Sequence, residues 1–237
     1  MDVAQELVSV MTARLPGVHL RTYEERRAVQ TIRRACSSFT NGESKTLWIW
    51  SVAAGLREIE LAKGAETVIN EKYALEKALA DFVASDKNLV LIITDPQGIF
   101  AKEFYLSWIK RALYAARGTG KMVILTGGEC KLPPEIGDQM HVLTFPLPTK
   151  ADLEKYISTL AKSYVDKLGM KIESEVIPAL AQACTGLSMD EAKSVVALAV
   201  AKFGTLDAQA VKLALAEKKQ IVAREGVLQY EDPQAGM

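Results

Sequence analysis

The sequence predicts an α/β fold: a three-layer αβα core on a mostly parallel five-stranded sheet, followed by a small helical lid. Two observations carry this. Between residues 17 and 148, short apolar β-forming runs alternate with stretches whose apolar residues recur every three or four positions, the pattern of a parallel sheet covered by helices on both faces. After "FPLPT" (145–149) the alternation stops and only helical patterns remain up to about residue 219.

Taken in order, "MDVAQELVSVMTARLPG" reads as a short amphipathic helix; it lacks the basic start and continuous apolar stretch of a signal peptide. Strands follow at "GVHLRT" (17–22), "TLWIWSV" (46–52), "NLVLIIT" (88–94), "KMVILTG" (121–127) and "HVLTFPL" (141–147). Helices fall at about 23–39, 71–85 and 101–116. Val29, Ile32, Cys36 and Phe39 place one face of the first in the core, and Tyr73, Leu75, Ala78, Leu79 and Phe82 do the same for the second. Segment 56–70 is ambiguous, with "ETVIN" a candidate short strand. Trp48 and Trp50 share one face of their strand, with Ile49 opposite. In the helical part, Thr149 with Asp152 and "SMDE" (188–191) have capping-box spacing, Gly169 and Gly204 are helix stops, and Pro178 delays or bends its helix. Four helices result. The expected boundaries are a core over 1–148, a helical lid over 149–222 and a linker over 223–237.

The 237 residues carry 29 basic and 29 acidic side chains, so the net charge is zero and the basic excess of a general nucleic-acid or membrane-surface binder is missing. Cys36, Cys130 and Cys184 are scattered, and only His19 and His141 could supply imidazole. That disfavours a metal site and suits a reduced, cytoplasmic protein. No run approaches the roughly 20 apolar residues of a membrane helix.

"NLVLIITDP" ends an apolar strand in Asp95, as the Mg²⁺-holding strand of a P-loop ATPase does, but the rest of that machinery does not follow. Pro96 stands where a catalytic acid belongs. Asp95, Pro96 and Gly98 form a favourable β-turn string, so a turn is preferred over a metal ligand. After the first strand "TYEE" follows at once; Thr22 and Glu25 have capping-box spacing, and Glu24 and Glu25 put negative charge where a phosphate would sit. "RGTGKM" (117–122) has Ala115 for the first glycine, Met122 for Ser or Thr, and a strand where a P-loop opens a helix; it is a turn. Cys130 in "TGGECKLPPEIG" has no local base to make it a nucleophile. No catalytic, nucleotide-binding or metal-ligating residue is therefore expected, Asp95 being vestigial. Arg26, Arg27, Arg33 and Arg34 form a basic stripe at seven-residue spacing. It is a candidate interaction surface, for nucleic-acid phosphates or for protein; a solvated face paired with acids is the favoured account.

The order of elements resembles an AAA+ module. "LIITDP" stands where the Mg²⁺ strand belongs, "VILTGGE" at the sensor strand, "HVLTFPLPTKADLEKYI" at the passage to the lid, and "TGLSMDEAKSVVALAVA" looks like a lid helix. More narrowly, "RTYEERRAVQTIRRAC", "LWIWSVAAGL", "FPLP" and "EKKQIVAREGVLQY" resemble the first, degenerate AAA domain of the cyanobacterial and plastid "hypothetical chloroplast reading frame" AAA ATPases. Relatives carry polar residues after "WSV", where this chain has Ala53 and Ala54, and the arginine-rich finger segment is "EIGDQMHV" here.

The resemblance implies a non-catalytic domain for assembly, partner binding or regulation of an active ATPase domain, in cis or in trans, within a homo- or hetero-oligomer. ATP and Mg²⁺ are then expected only on a second domain, with a reading frame that continues past Met237. Two alternatives stand beside it: a clamp-loader-like or nucleic-acid-associated relic using the arginine stripe, and an ATP-hydrolysing enzyme with an unconventional site.

Overall fold

In a computed structural model, residues 2–39, 45–128, 131–169, 172 and 175–224 are described. The chain divides into two units, Met1–Phe145 and Pro146–Met237.

The first unit runs α1 (Val3–Thr12), β1 (Gly17–Arg21), α2 (Glu25–Ser38), β2 (Thr46–Ser51), β3 (Gly55–Ile59), β4 (Glu66–Asn70), α3 (Leu75–Ala84), β5 (Leu89–Thr94), α4 (Gln97–Phe100), α5 (Glu103–Ala116), β6 (Met122–Gly127), α6 (Pro134–Gly137) and β7 (Met140–Thr144). The sheet order is β4-β3-β2-β5-β6-β1-β7. Strands β2, β5, β6, β1 and β7 are mutually parallel, with Val90 level with Met122 and Val18 level with Ile124 and His141. The five expected strands are all present, but the sheet has seven. The ambiguous segment supplies an antiparallel pair, β3 and β4, beyond β2. Its first turn needs glycine: Gly55 has φ +63°, and a Cβ there would lie 2.1 Å from the Asn70 carbonyl oxygen. Every residue of β4 is exposed, so no apolar alternation marked it.

Because β5 is covered on both faces, its side chains alternate between two cores. Val90 and Ile92 join Leu7, Val18, Ile32 and Cys36 under α1 and α2. Leu89, Leu91 and Ile93 join Leu79, Phe82, Ile109 and Leu113 under α3 and α5. Trp48 and Trp50 lie on the α3 side and Ile49 on the other. The indoles are fixed by polar bonds: Trp48 Nε1 donates to Glu58 Oε2 at 3.1 Å, and Trp50 Nε1 to the Tyr73 carbonyl at 2.7 Å. Lys121 of the "GK" pair donates from Nζ to the carbonyls of Phe82 and Val83 at the end of α3.

The second unit contains α7 (Lys150–Leu168), α8 (Val176–Ala183), α9 (Met189–Phe203) and α10 (Ala208–Arg224) around a core that includes Leu153, Ile157, Leu180, Val196 and Leu206. Both capping boxes form, at Thr149/Asp152 and Ser188/Glu191, and α7 and α9 end in left-handed Gly169 and Gly204. Helix α8 starts only at Val176, which puts Pro178 in its first turn, where no backbone N–H is needed. Residues 225–237, and with them most of the expected linker, lie outside the described residues. Among the described residues no helix is long and apolar enough to cross a membrane.

Candidate functional site

In an open parallel sheet, ligand sites form beyond the carboxyl ends of the strands. Here the ends of β1, β5 and β6 open onto a cavity of about 190 Å³. Thr22, Tyr23 and Glu25 line it from the β1–α2 connection, Asp95 from the end of β5, and Thr126, Gly127 and Gly128 from β6.

The sheet ladder sets these positions. The Thr22 N–H donates to the Gly127 carbonyl at 2.7 Å and the Asp95 N–H to the Thr126 carbonyl at 2.9 Å, each extending a parallel pairing past the strand end. Held in that way, Thr22 cannot cap α2, and the expected Thr22/Glu25 capping box does not form. Its hydroxyl accepts instead from the Glu24 N–H at 2.9 Å, and Glu24 stands at the N-cap without a side-chain cap bond. The buried Glu24 carboxylate takes Arg27 at 2.5 Å.

The Asp95 turn also differs from expectation. Pro96 opens the short helix α4, its carbonyl accepting from Ile99 and Phe100, and Asp95 sits left-handed at φ +50°. Asp tolerates that region better than most residues. The exposed side chain thereby stands at the cavity instead of closing a β-turn.

Electrostatically the cavity is acidic. Glu25 is an exposed residue, but its carboxyl pKa is raised, first by partial desolvation against its neighbours and then by the negative charge of Asp95, ahead of the lowering by Arg57. Among the described residues no lysine or arginine lines the cavity. At its floor Thr126 is 2% exposed, and its Oγ1 has no hydrogen-bond partner among the described residues. Gly128 lies under the exposed Tyr23 ring, 2.1 Å from where a Cβ would stand, so a larger residue there would have to displace that ring. The side chains that line it among the described residues are two carboxylates, one phenol and two threonine hydroxyls. Among the described residues no group of three His, Cys, Asp or Glu could hold a metal ion.

The arginine stripe is largely engaged within the fold. Arg27 pairs with Glu24 and stacks over Phe145 at 4.6 Å. Arg33 donates to the carbonyls of Leu61 and Ala62 at 2.7 and 3.2 Å, and Arg34 to Thr31 at 3.1 Å. Arg26 is exposed. Burial pushes the Cys36 and Cys184 thiols up to about 12 and about 11, which removes them as nucleophiles; Cys130 lies outside the described residues. Asp95 also borders a second cavity of about 660 Å³ floored by Trp50, Tyr73 and Tyr105. There the Tyr73 hydroxyl donates to Asp81, which pushes its pKa up to about 12.

Sequence reasoning missed Tyr23 and Thr126. A threonine two residues after Ile124 in an apolar strand was a readable signal, because it falls on the α2 face at the strand's carboxyl end.

A five-strand parallel core in the order β2-β5-β6-β1-β7, with its cavity at the carboxyl strand ends, defines an AAA+ ATPase-type fold. The family model "SpoVK-like AAA ATPase, N-terminal domain" matches residues 3–145, and "SpoVK-like AAA ATPase, second domain" matches 151–225. The chain belongs to the SpoVK-like AAA ATPase family. It is similar to the AAA domain-containing protein ycf46 of Guillardia theta, at 22% identity over 98% of this chain and 44% of that protein. The ycf46 protein of Trieres chinensis is 25% identical, over 97% and 44%. The chain thus spans less than half the length of these relatives. Among solved structures it resembles C. elegans PCH-2 (TM-score 0.59, 12% identity, 94% of this chain and 68% of that one). Domain III of the Thermotoga maritima replication initiation protein DnaA is similar too (TM-score 0.53, 11% identity, 91% and 90%).

Proposed function

We propose that this chain is a non-catalytic AAA+ domain, one that assembles with, positions or regulates an active AAA+ ATPase domain in cis or in trans. The observation that carries this reading is the pair Glu25 and Asp95 at the cavity where an AAA+ module would hold phosphates. Two carboxylates repel a triphosphate and its leaving group alike, and among the described residues no lysine or arginine lines the cavity to offset them. The first turn of α2 carries Glu25 where a phosphate-binding helix start would be bare. Engagement of Arg27, Arg33 and Arg34 within the fold supports a protein-binding role over retention on nucleic acid. The buried thiols suit a reduced compartment, and we place the protein in the cytoplasm.

The test is hydrolysis. The purified chain with Mg·ATP should release phosphate no faster than its Asp95→Asn variant. A turnover that Asp95→Asn abolishes would make the chain an enzyme and end this reading.

A further inference from the structure

The same cavity has a positive requirement as well as a negative one. Glu25 and Asp95 are exposed at its rim, and among the described residues neither accepts a hydrogen bond nor sits in an ion pair. Arg57 is within electrostatic reach of Glu25 but is itself bonded to Glu66, and Arg26 is the weakest of the charges felt there. Thr126 adds an independent signal. Met122 and Ile124 face α1 and α2 while Val123 and Leu125 face α3 and α5, so the next side chain, Thr126, is directed to the α2 face, where Thr22, Tyr23 and Glu25 border the cavity. Its hydroxyl is 2% exposed and unpartnered among the described residues. A buried hydroxyl left in that state destabilises the fold unless a water or a docked group bonds to it.

We propose that this cavity receives a cationic nitrogen group, the guanidinium or ammonium of a basic side chain on a protein partner. Glu25 and Asp95 hold the charge and Thr126 Oγ1 accepts a further N–H. The inference rests on the reading of the cavity as a site without phosphates. A basic side chain fits better than a metal ion. Among the described residues no third His, Cys, Asp or Glu joins the two carboxylates, and Mg²⁺ gives up its water reluctantly. A guanidinium is weakly hydrated and presents several donors in a plane, matched to two separate carboxylates and a hydroxyl. It would also offset the repulsion between Asp95 and Glu25, which comes second to desolvation in raising the Glu25 pKa.

The probe is N-acetyl-arginine amide, titrated into the ¹⁵N-labelled chain, with the neutral citrulline analogue, MgCl₂ alone and Mg·ATP as separate arms. Saturable shifts should centre on the amides of Tyr23, Thr126, Gly127 and Gly128, and the citrulline arm should give none. Glu25→Gln and Asp95→Asn should each weaken binding about tenfold, the effect of losing one charge-assisted bond; Asn keeps the left-handed backbone. Thr126→Val should weaken it too, while raising the Tm of the free chain by about 2–4 °C.

No saturable response to arginine, equal binding of citrulline, or indifference to both carboxylate variants would overturn the proposal. So would saturation of the same amides by MgCl₂ alone, which would make this a metal site, and so would a fall in Tm on Thr126→Val. A saturable Mg·ATP response would instead overturn the phosphate-free reading beneath it.

Discussion

The two units use similar local sequence strings with different results. In the helical unit, Ser188 and Glu191 stand three apart and form the capping box their spacing spells. At the end of β1, Thr22 and Glu25 stand three apart and do not. The difference lies in what else holds the first residue. The Ser188 N–H donates to Glu191 Oε2 in the helix it starts, whereas the Thr22 N–H is bonded to Gly127 across the sheet. Glycines repeat the lesson. Gly204 is left-handed with open space around its missing side chain, and Gly55 is left-handed against the backbone of Asn70 and Glu71. Local chemistry decides conformation in the helical unit; sheet neighbours decide it in the core.

The largest test of this contrast is at the glycines. Gly55→Ala should cost about 3 kcal/mol, because backbone strain and a clash with a carbonyl combine. Gly204→Ala should cost about 1 kcal/mol, the left-handed penalty alone. Chemical denaturation of both variants measures this, and equal losses would refute the contrast. Next come the caps. Ser188→Ala should cost about 1 kcal/mol and Thr22→Val about half of that, since only one short-range bond is lost. If Thr22→Val proved the more costly, the string at β1 would be acting as a helix cap after all.

A smaller effect concerns pH in the core. His19, buried in β1, has its pKa lowered from 6.5, first by burial and then by the charge of Arg21. The unfolded chain therefore binds a proton at higher pH than the folded one. This contribution to stability is whole above about pH 6.5 and is lost as pH falls below it. Thermal melts between pH 7 and 5 should show a falling Tm, with a flatter slope in His19→Gln. An unchanged slope would mean that the imidazole is protonated in place.

The parallel strands were legible as short apolar runs and the long helices by a periodic apolar face, whereas the four-residue helices α4 and α6 are too short to show one. Strand β3, "GLREI", was not read, and "ETVIN" was legible only as a candidate, because β4 is exposed throughout and pairs along one edge with β3. Glu25 was legible as an acid at the start of α2 and Asp95 as an acid at the end of an apolar strand. Their partners were not: the approach of Glu25 to Asp95, and of the Tyr23 ring to Gly128, joins residues more than 60 positions apart. The reach of Arg33 to the Leu61 carbonyl, which draws on the basic stripe, likewise depends on the unread β3–β4 connection.

We propose above all that this cavity presents negative charge where a phosphate-binding AAA+ site would hold phosphate. Calorimetric titration of the purified chain with Mg·ATP tests it most directly. The account predicts no saturable heat, for the wild type and for Asp95→Asn alike. A stoichiometric site of micromolar affinity that weakens in Asp95→Asn would contradict it.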